Sequence, residues 1–286
     1  MTRALESLRA YMLLSPVIVT VILGLVACLG LLAVSSFGTQ HYLDFEFGLS
    51  TASYEQVLDS AAIHKLMLRS AGIAALVAFL SVLLAFPVAY FVAFDVGGRR
   101  LLWLVVLTLP SWISYLLRVL SWKLILGYQG VVNSGLVGAG VIDQPLDFLL
   151  YNPTSVTIAL AHAWAPFAIL PIYVSLQRLD RSLIQAAGDL GDGPLRSFRR
   201  VTLPLALPGV FAAFVLIFIP VFGDYVTPQL IGGPSGVMVG VFIAMQFGAS
   251  NNVPLGGALA ISTMLVATLL ACLLVLGTKR LVRAMR

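Results

Sequence analysis

A series of long, nearly uncharged apolar stretches constrains this chain more than any other feature. A membrane-spanning helix needs about 20 mainly apolar residues, and each stretch reaches that length. The stretches are continuously apolar rather than alternating, which favours helices over a β-barrel. The predicted spans are about 11–36, 67–94, 101–125, 154–177, 203–223 and 255–278. The sequence therefore predicts an all-α polytopic membrane protein, with six transmembrane helices in a single transmembrane domain, residues 1–286.

The charged residues follow a membrane topology. Only 10% of the 286 residues are charged, whereas soluble domains average about 25%. Cytoplasmic loops carry an excess of Lys and Arg, and one predicted side collects Arg3, Arg9, Arg99, Arg100, Arg178, Arg181, Arg196, Arg199, Arg200, Lys279, Arg280, Arg283 and Arg286. Both termini and the polar stretch 178–202 are therefore predicted to be cytoplasmic. Topology and contact with the lipid bilayer account for the net charge of +5, so no nucleic-acid partner is expected.

No residue pattern in the sequence predicts a catalyst. The chain lacks the phosphate-binding pattern G-x-x-x-x-G-K-[ST], a nucleophile with its base, and a cluster of metal ligands. Cys28 and Cys272 lie deep in apolar stretches, so we interpret them as small apolar residues. An ion-coupled carrier should place acids inside its spans, but only Asp95 and Asp224 come close, both at span ends. The carrier is therefore a disfavoured alternative, and a membrane scaffold without transport is a third.

The longest polar break between apolar stretches is QAAGDLGDGPLRSFRRVTLP, Gln185–Pro204. Its pattern predicts two short helices, with Ala186, Ala187 and Leu190 on one face of the first. Gly191 is suited to end the first helix and Pro194 to start the second. Phe198 is expected to project as an aromatic knob. The spacing leaves two interpretations open, a docking surface and a solvated basic loop.

The same break resembles the EAA loop of ABC-importer permease subunits. The family pattern is E-A-A, three residues, G, nine residues and I-x-L-P. This chain has Gln185-Ala186-Ala187, Gly191 and Val201-x-Leu203-Pro204 at the same spacing. The resemblance implies that Gln185, Ala186, Ala187, Leu190, Gly191, Phe198, Leu203 and Pro204 couple the chain to a cytoplasmic ATPase subunit. That partner would hold ATP and Mg²⁺, so no cofactor is expected on this chain. Gln185 replaces the family's Glu, so an ion pair made by that Glu is in doubt.

The resemblance extends over nearly the whole chain. Permease subunits of spermidine/putrescine importers are similar at Leu109-Pro110-x-Trp112, Arg118, Trp122, Gly127-x-x-Gly130, Asn133, Arg178-Leu179-Asp180, Pro220-x-x-Gly223-Asp224-Tyr225-Val226 and Gln229-Leu230-Ile231-Gly232-Gly233. This implies the type I importer permease fold in a bacterial inner membrane. It also implies a second homologous permease, two copies of an ATP-binding subunit and an external (periplasmic) substrate-binding protein. Related permeases serve ferric iron, phosphonates or opine-like compounds, which remain alternative substrates.

A polyamine pathway needs carboxylates and aromatic faces, because both attract ammonium groups. The candidates are Asp224, Tyr225, Trp112, Tyr115, Trp164 and Tyr173. Each aromatic residue has an alternative role as an anchor at the membrane interface. Arg118 either extends to the headgroups or pairs with Asp224 at an outer gate.

Overall fold

The structure is a computed structural model that describes residues 2–41 and 44–284. Nearly all of its regular structure is helical. In chain order the elements are α1 (Thr2–Ser36), β1 (Thr39–His41), β2 (Asp44–Glu46), α2 (Ala52–Asp59), α3 (Ala61–Phe94), α4 (Arg100–Thr108), α5 (Tyr115–Leu126), α6 (Val131–Gly138), α7 (Pro153–Gln177), α8 (Arg181–Asp189), α9 (Pro194–Ser197), α10 (Leu203–Phe222), α11 (Val239–Phe247) and α12 (Val253–Ala284). Short 3₁₀ turns lie at Gly97–Arg99, Leu109–Trp112 and Asp147–Leu149, and π-helical turns at Phe198–Thr202 and Pro228–Gly232.

Five helical segments in the described part of the chain are long and apolar enough to cross a membrane. They are Leu14–Ser36, Ala61–Phe94, Pro153–Gln177, Pro194–Phe222 and Val253–Thr278. A bent pair of helical segments would make a sixth. The prediction that the chain is an all-α polytopic membrane protein is confirmed.

The third predicted span, about 101–125, is not one straight helix. Gly97–Trp112 and Tyr115–Gly138 meet at an angle of 77°. Pro110 lies in the 3₁₀ turn that follows α4. The next residue after that turn, Ile113, has extended backbone with ψ of 141°. Extended backbone cannot continue a helix, so the chain changes direction before α5 begins.

Small residues let α3, α7 and α10 pack closely. A Cβ added to Gly209 in α10 would lie 2.4 Å from the Cβ of Ser175 and 2.6 Å from the carbonyl oxygen of Pro171, both in α7. The buried Ser81 hydroxyl of α3 donates to the carbonyl oxygen of Ala161 in α7 at 3.1 Å. Close approach of small residues and interhelical hydrogen bonds are the usual means of helix association in membranes. These three helices form the core of the compact unit made by residues 61–242 and the described residues after 262.

A second compact unit contains the described residues of 1–60 together with 243–262. β1 and β2 pair antiparallel, with Gln40 opposite Phe45. The Ser36 and Tyr54 hydroxyls lie 2.7 Å apart, which ties the end of α1 to α2. A Cβ on Gly257 of α12 would lie 3.1 Å from Ser36, so α1 and α12 touch within this unit. Residues 14–31 of α1 are exposed along their whole length, whereas Ser36 at the end of the helix is buried.

Candidate functional site

Helix α8 starts at a capped and anchored end. The carboxylate of Asp180 accepts a hydrogen bond from the Ser182 backbone N–H at 3.0 Å. This bond holds the pKa of Asp180 below its usual range. The Arg181 guanidinium donates to the Phe94 carbonyl oxygen at 2.7 Å and lies 5.4 Å from the centre of the Phe94 ring. Arg181 therefore fastens the start of α8 to the end of α3.

The turn between α8 and α9 is defined by Gly191. Its φ is +87°, in the left-handed region that favours glycine. The Gly191 N–H donates to the Gly188 carbonyl at 2.9 Å, and the Asp192 N–H donates to the Ala187 carbonyl at 3.0 Å. These two bonds make the Schellman motif that ends α8. Pro194 then begins α9, as its missing N–H permits.

Phe198 packs against its own chain. It is half-buried, with its ring centre 5.6 Å from that of Phe86 and 6.3 Å from that of Tyr90, both in α3. It also begins the π-helical turn that joins α9 to α10 without a break. The expectation that Phe198 projects as a free knob is therefore corrected, because the π turn directs its ring onto α3.

Two leucines, rather than Phe198, are the most exposed large apolar side chains of this segment. Leu190 is 88% exposed and Leu195 is 71% exposed. Between them the Asp192 carboxylate forms ion pairs with two exposed guanidinium groups, that of Arg196 at 3.6 Å and that of Arg200 at 3.3 Å. Exposed ion pairs of this kind contribute little stability. The turn thus presents two apolar side chains beside basic groups.

The remaining residues of the EAA-like motif are divided between surface and core. Gln185 and Ala186 are exposed on α8, whereas Ala187 is buried. Leu203 and Pro204 are half-buried at the start of α10. The exposed amide of Gln185 carries no charge, so the segment lacks the carboxylate of the family pattern.

A polar cluster forms where α5 begins and α10 has just ended. The Tyr115 hydroxyl donates to the Asp224 carboxylate at 2.8 Å and lies 2.5 Å from the Thr227 hydroxyl. Tyrosine has one hydroxyl proton, so Thr227 is the donor to Tyr115. The carboxylate also accepts from the backbone N–H of Val226 at 3.2 Å and of Thr227 at 3.4 Å. Asp224 is therefore held in one orientation by neutral donors.

Arg118 lies beside this cluster without pairing with Asp224. Its guanidinium carbon is 6.0 Å from the centre of the Tyr115 ring, and Nη1 donates to the Ala163 carbonyl oxygen in α7 at 3.0 Å. Among the side chains that the structure describes, Asp192 is the carboxylate that forms ion pairs. The Arg118–Asp224 pair, one of the two alternatives for Arg118, is therefore not formed among the described side chains, and the guanidinium donates to a backbone carbonyl instead.

The other predicted pathway aromatics do not join the cluster. Trp112 is 78% exposed and Tyr225 is 50% exposed. Trp164 is half-buried, with its ring centre 5.3 Å from that of Phe167. Tyr173 is buried in the helical core. Of the six candidates, the structure brings together Tyr115 and Asp224.

Thr227 is a member of the cluster that the sequence analysis missed. It lies three residues after Asp224, a spacing typical of an aspartate that bonds the backbone of the next turn. This spacing could have identified Thr227 from the sequence.

The loop that follows Thr227 is held by two helices. Arg69 of α3 donates to the carbonyl oxygens of Ser235, at 3.0 Å, and Val237. Ser155 of α7 donates to the Ile231 carbonyl at 2.8 Å. The cluster therefore rests on a firmly held loop.

In the described residues, no group of three or more His, Cys, Asp or Glu side chains is arranged to hold a metal ion. Trp122 and His162 instead contact each other, since the indole N–H donates to His162 Nδ1 at 3.2 Å. The polar groups of this region are therefore arranged for hydrogen bonding and charge pairing.

The chain is similar to several proteins of known class. The family described as "Binding-protein-dependent transport system inner membrane component" matches residues 66–286. The spermidine/putrescine transport system permease protein PotB of Escherichia coli (strain K12) is 32% identical over 218 residues, or 76% of this chain and 78% of PotB. The inner membrane ABC transporter permease protein YdcU of the same strain is 34% identical over 234 residues, covering 78% of this chain and 74% of YdcU.

Solved structures agree on the fold. A bacterial alginate ABC transporter, in complex with its alginate pentasaccharide-bound periplasmic protein, aligns with a TM-score of 0.77 at 16% identity. The alignment covers 98% of this chain and 97% of the other. The MetNI methionine ABC transporter aligns with a TM-score of 0.51 at 19% identity, and the alignment covers 79% of this chain and 99% of the other.

These matches favour the importer over a carrier acting alone. The predicted type I importer permease fold is confirmed by the solved structures. ATP hydrolysis in such transporters belongs to a separate subunit. The chain belongs to the family of binding-protein-dependent transport system inner membrane components, as the multi-pass, non-catalytic permease subunit of an ABC importer of the inner membrane.

Proposed function

We propose that this permease subunit forms half of a translocation pathway for polyamines of the spermidine/putrescine type. The similarity to PotB over 218 residues supports this substrate class. The observation that carries the proposal is the Asp224 carboxylate. It is oriented by Tyr115, Thr227 and two backbone N–H groups, and no described cation pairs with it. A half-buried carboxylate without a cationic partner is suited to a substrate ammonium group, which a neighbouring tyrosine ring also attracts.

The proposed complex contains a second homologous permease, two copies of a cytoplasmic ATP-binding subunit and an external substrate-binding protein. ATP and Mg²⁺ lie on the ATP-binding subunits, and this chain binds no cofactor of its own. Both termini and the α8–α9 segment face the cytoplasm, in agreement with the excess of basic residues in those loops. Leu190 and Leu195 enter the ATPase groove, because they are the most exposed large apolar side chains of the segment.

The contacts of Phe198 suggest how movement of the ATPase reaches the pathway. Its ring packs on Phe86 and Tyr90 of α3, and the turn that it begins continues into α10. Arg181 adds a second connection to α3. A displacement of α8 and α9 during closure of the ATPase pair is therefore transmitted to two core helices at once. Such a two-state movement exposes the pathway alternately to the outside and the cytoplasm.

The test replaces Asp224 with Asn in the complete complex, reconstituted in proteoliposomes with its binding protein. Asparagine has nearly the same shape and keeps one oxygen acceptor, but removes the charge. A charge-assisted bond contributes about 1.5–3 kcal/mol, so we expect ATP-dependent putrescine and spermidine uptake to fall about tenfold or more. Complex assembly should be unchanged.

Asp143→Asn is the matched control, because Asp143 is an exposed acid in a loop away from the cluster. Its uptake should equal that of the wild type. Unchanged uptake in Asp224→Asn would refute the role of Asp224. Absence of polyamine uptake in the wild-type complex would refute the substrate class.

A further inference from the structure

A small cavity lies where the third helical segment changes direction. It has a volume of ≈ 210 Å³ and is bordered by α3, α4, α5 and α7, with Pro110 and Pro166 in its wall. One water molecule takes up roughly 30 Å³, so the cavity has room for a small organic group. The described residues that line it are aliphatic or proline, apart from Arg118 and His162. The cavity therefore contains a fixed positive charge without a lining carboxylate.

The guanidinium in this cavity has unused hydrogen-bonding capacity. Arg118 Nη1 donates to Ala163, whereas Nε is buried and makes no hydrogen bond. His162 adds a second donor, because its Nδ1 accepts from Trp122, which leaves Nε2 to carry the ring proton. Placing a charge in apolar surroundings is costly unless it is paired. An anionic group in the cavity would supply that pair.

Tyr115 lies next to both the Asp224 carboxylate and the guanidinium of Arg118. Its hydroxyl donates to Asp224 at 2.8 Å, and its ring centre is 6.0 Å from the guanidinium carbon of Arg118. A carboxylate and a guanidinium, each without a partner of opposite charge among the described side chains, thus lie beside the same tyrosine.

We propose that the cavity at Arg118 is a subsite for a substrate carboxylate, so that the pathway accepts compounds carrying an amine at one end and a carboxylate at the other. The inference rests on the proposed function, since it uses Asp224 as the amine subsite. Arg118 acts as a specificity-determining residue that attracts a substrate carboxylate through charge-assisted hydrogen bonds. A diamine also binds at Asp224, but more weakly than an amino acid would, because the positive charge of Arg118 repels its second ammonium group.

The experiment measures binding of three four-carbon compounds to the purified permease–ATPase complex. They are 4-aminobutanoate, with both groups, putrescine, with two amines, and butanoate, with a carboxylate alone. The binding protein is left out, so that the selectivity measured belongs to the permease. Ligand-observed NMR titration supplies each Kd, and basal ATPase activity reports intact assembly.

Arg118→Gln should raise the Kd for 4-aminobutanoate about tenfold or more, as expected for a lost charge-assisted bond. The Kd for putrescine should stay the same or fall. Arg118→Lys keeps the charge and should lose less affinity than Arg118→Gln, which separates charge from folding defects. Asp224→Asn should raise the Kd for both compounds that carry an amine, 4-aminobutanoate and putrescine. Lys123→Gln, which removes a positive charge from the same helix outside the cavity, should change neither Kd.

Two results would overturn the inference. One is binding of putrescine without binding of 4-aminobutanoate, and the other is an unchanged Kd for 4-aminobutanoate in Arg118→Gln. Arg118-dependent binding of 4-aminobutanoate without binding of putrescine would support the carboxylate subsite and refute the polyamine proposal instead.

Discussion

The conformation of Gly191 permits a graded test of the turn between α8 and α9. Its φ of +87° is strained for any residue with a Cβ, yet a Cβ placed there would meet no atom within 4 Å. Substitution therefore changes backbone energy without creating a clash. Left-handed backbone costs an L-residue about 1–2 kcal/mol, whereas Asn tolerates it better and β-branched residues worse.

If docking to the ATPase requires this turn, a variant must adopt the strained backbone at residue 191 in order to bind. The cost of that strain then weakens its binding free energy for the ATPase. A loss of about 1–2 kcal/mol is a factor of about 5–30 in an equilibrium constant. The Kd of Gly191→Ala for the ATPase subunit should therefore rise by about that factor. Gly191→Asn should show a smaller rise and Gly191→Val a larger one.

The assay titrates purified ATPase subunit against permease variants in nanodiscs, and follows association by fluorescence anisotropy. Uptake per ATP hydrolysed in proteoliposomes is the second readout. Gly188→Ala is the matched control, because Gly188 lies in α8 with ordinary φ and open space around its Cα. Equal Kd values across the Gly191 series would refute the view that this turn is the docking element.

Two further predictions concern packing and capping. Gly209→Ala forces a Cβ to within 2.4 Å of the Ser175 Cβ, so the midpoint temperature of thermal unfolding of the purified complex should fall. Gly72→Ala, whose new Cβ meets open space, should not lower this temperature. The Ser182 N–H lowers the pKa of Asp180 in the folded protein. The cap therefore stabilises α8 fully at pH values above the unfolded pKa of about 3.9. This stabilisation is lost as the pH falls through the lower pKa of the folded state. Amide exchange in α8 should therefore be faster in Asp180→Ala than in wild type at pH 7, with a difference that shrinks below about pH 4; equal exchange at pH 7 would contradict the capping role.

The sequence predicted those elements that depend on local chemistry. Long apolar stretches can satisfy their backbone in a bilayer only as helices, and α3, α7 and α10 follow from that rule. Gly191 and Pro194 mark the turn between α8 and α9 because each residue has a special backbone preference. Tyr115 and Asp224 were both candidates for the pathway because of their chemistry, but no pattern of spacing indicated that the two side chains would touch.

The parts that sequence reasoning missed depend on which face of a helix meets which neighbour. A helix that is apolar all round shows no buried stripe, so Tyr173 in α7 gave no sign that it would be in the core. Phe198 looked available because the contact with α3 joins residues more than a hundred positions apart. Arg118 donates to the backbone carbonyl of Ala163. Since every residue has such a carbonyl, the sequence does not indicate which one an arginine will bind.

The π-helical turn at Phe198–Thr202 has a mechanical consequence. A π turn holds one more residue than an α turn, and such insertions are frequent at functional sites. If this turn changed to α-helical geometry, α10 would keep its length, but the residues before the turn would shift in register by one residue. That step is roughly 1.5 Å along the axis and about 100° of rotation. Because Phe198 packs on α3, such a change at the junction would also rearrange the contact between the α8–α9 segment and the core.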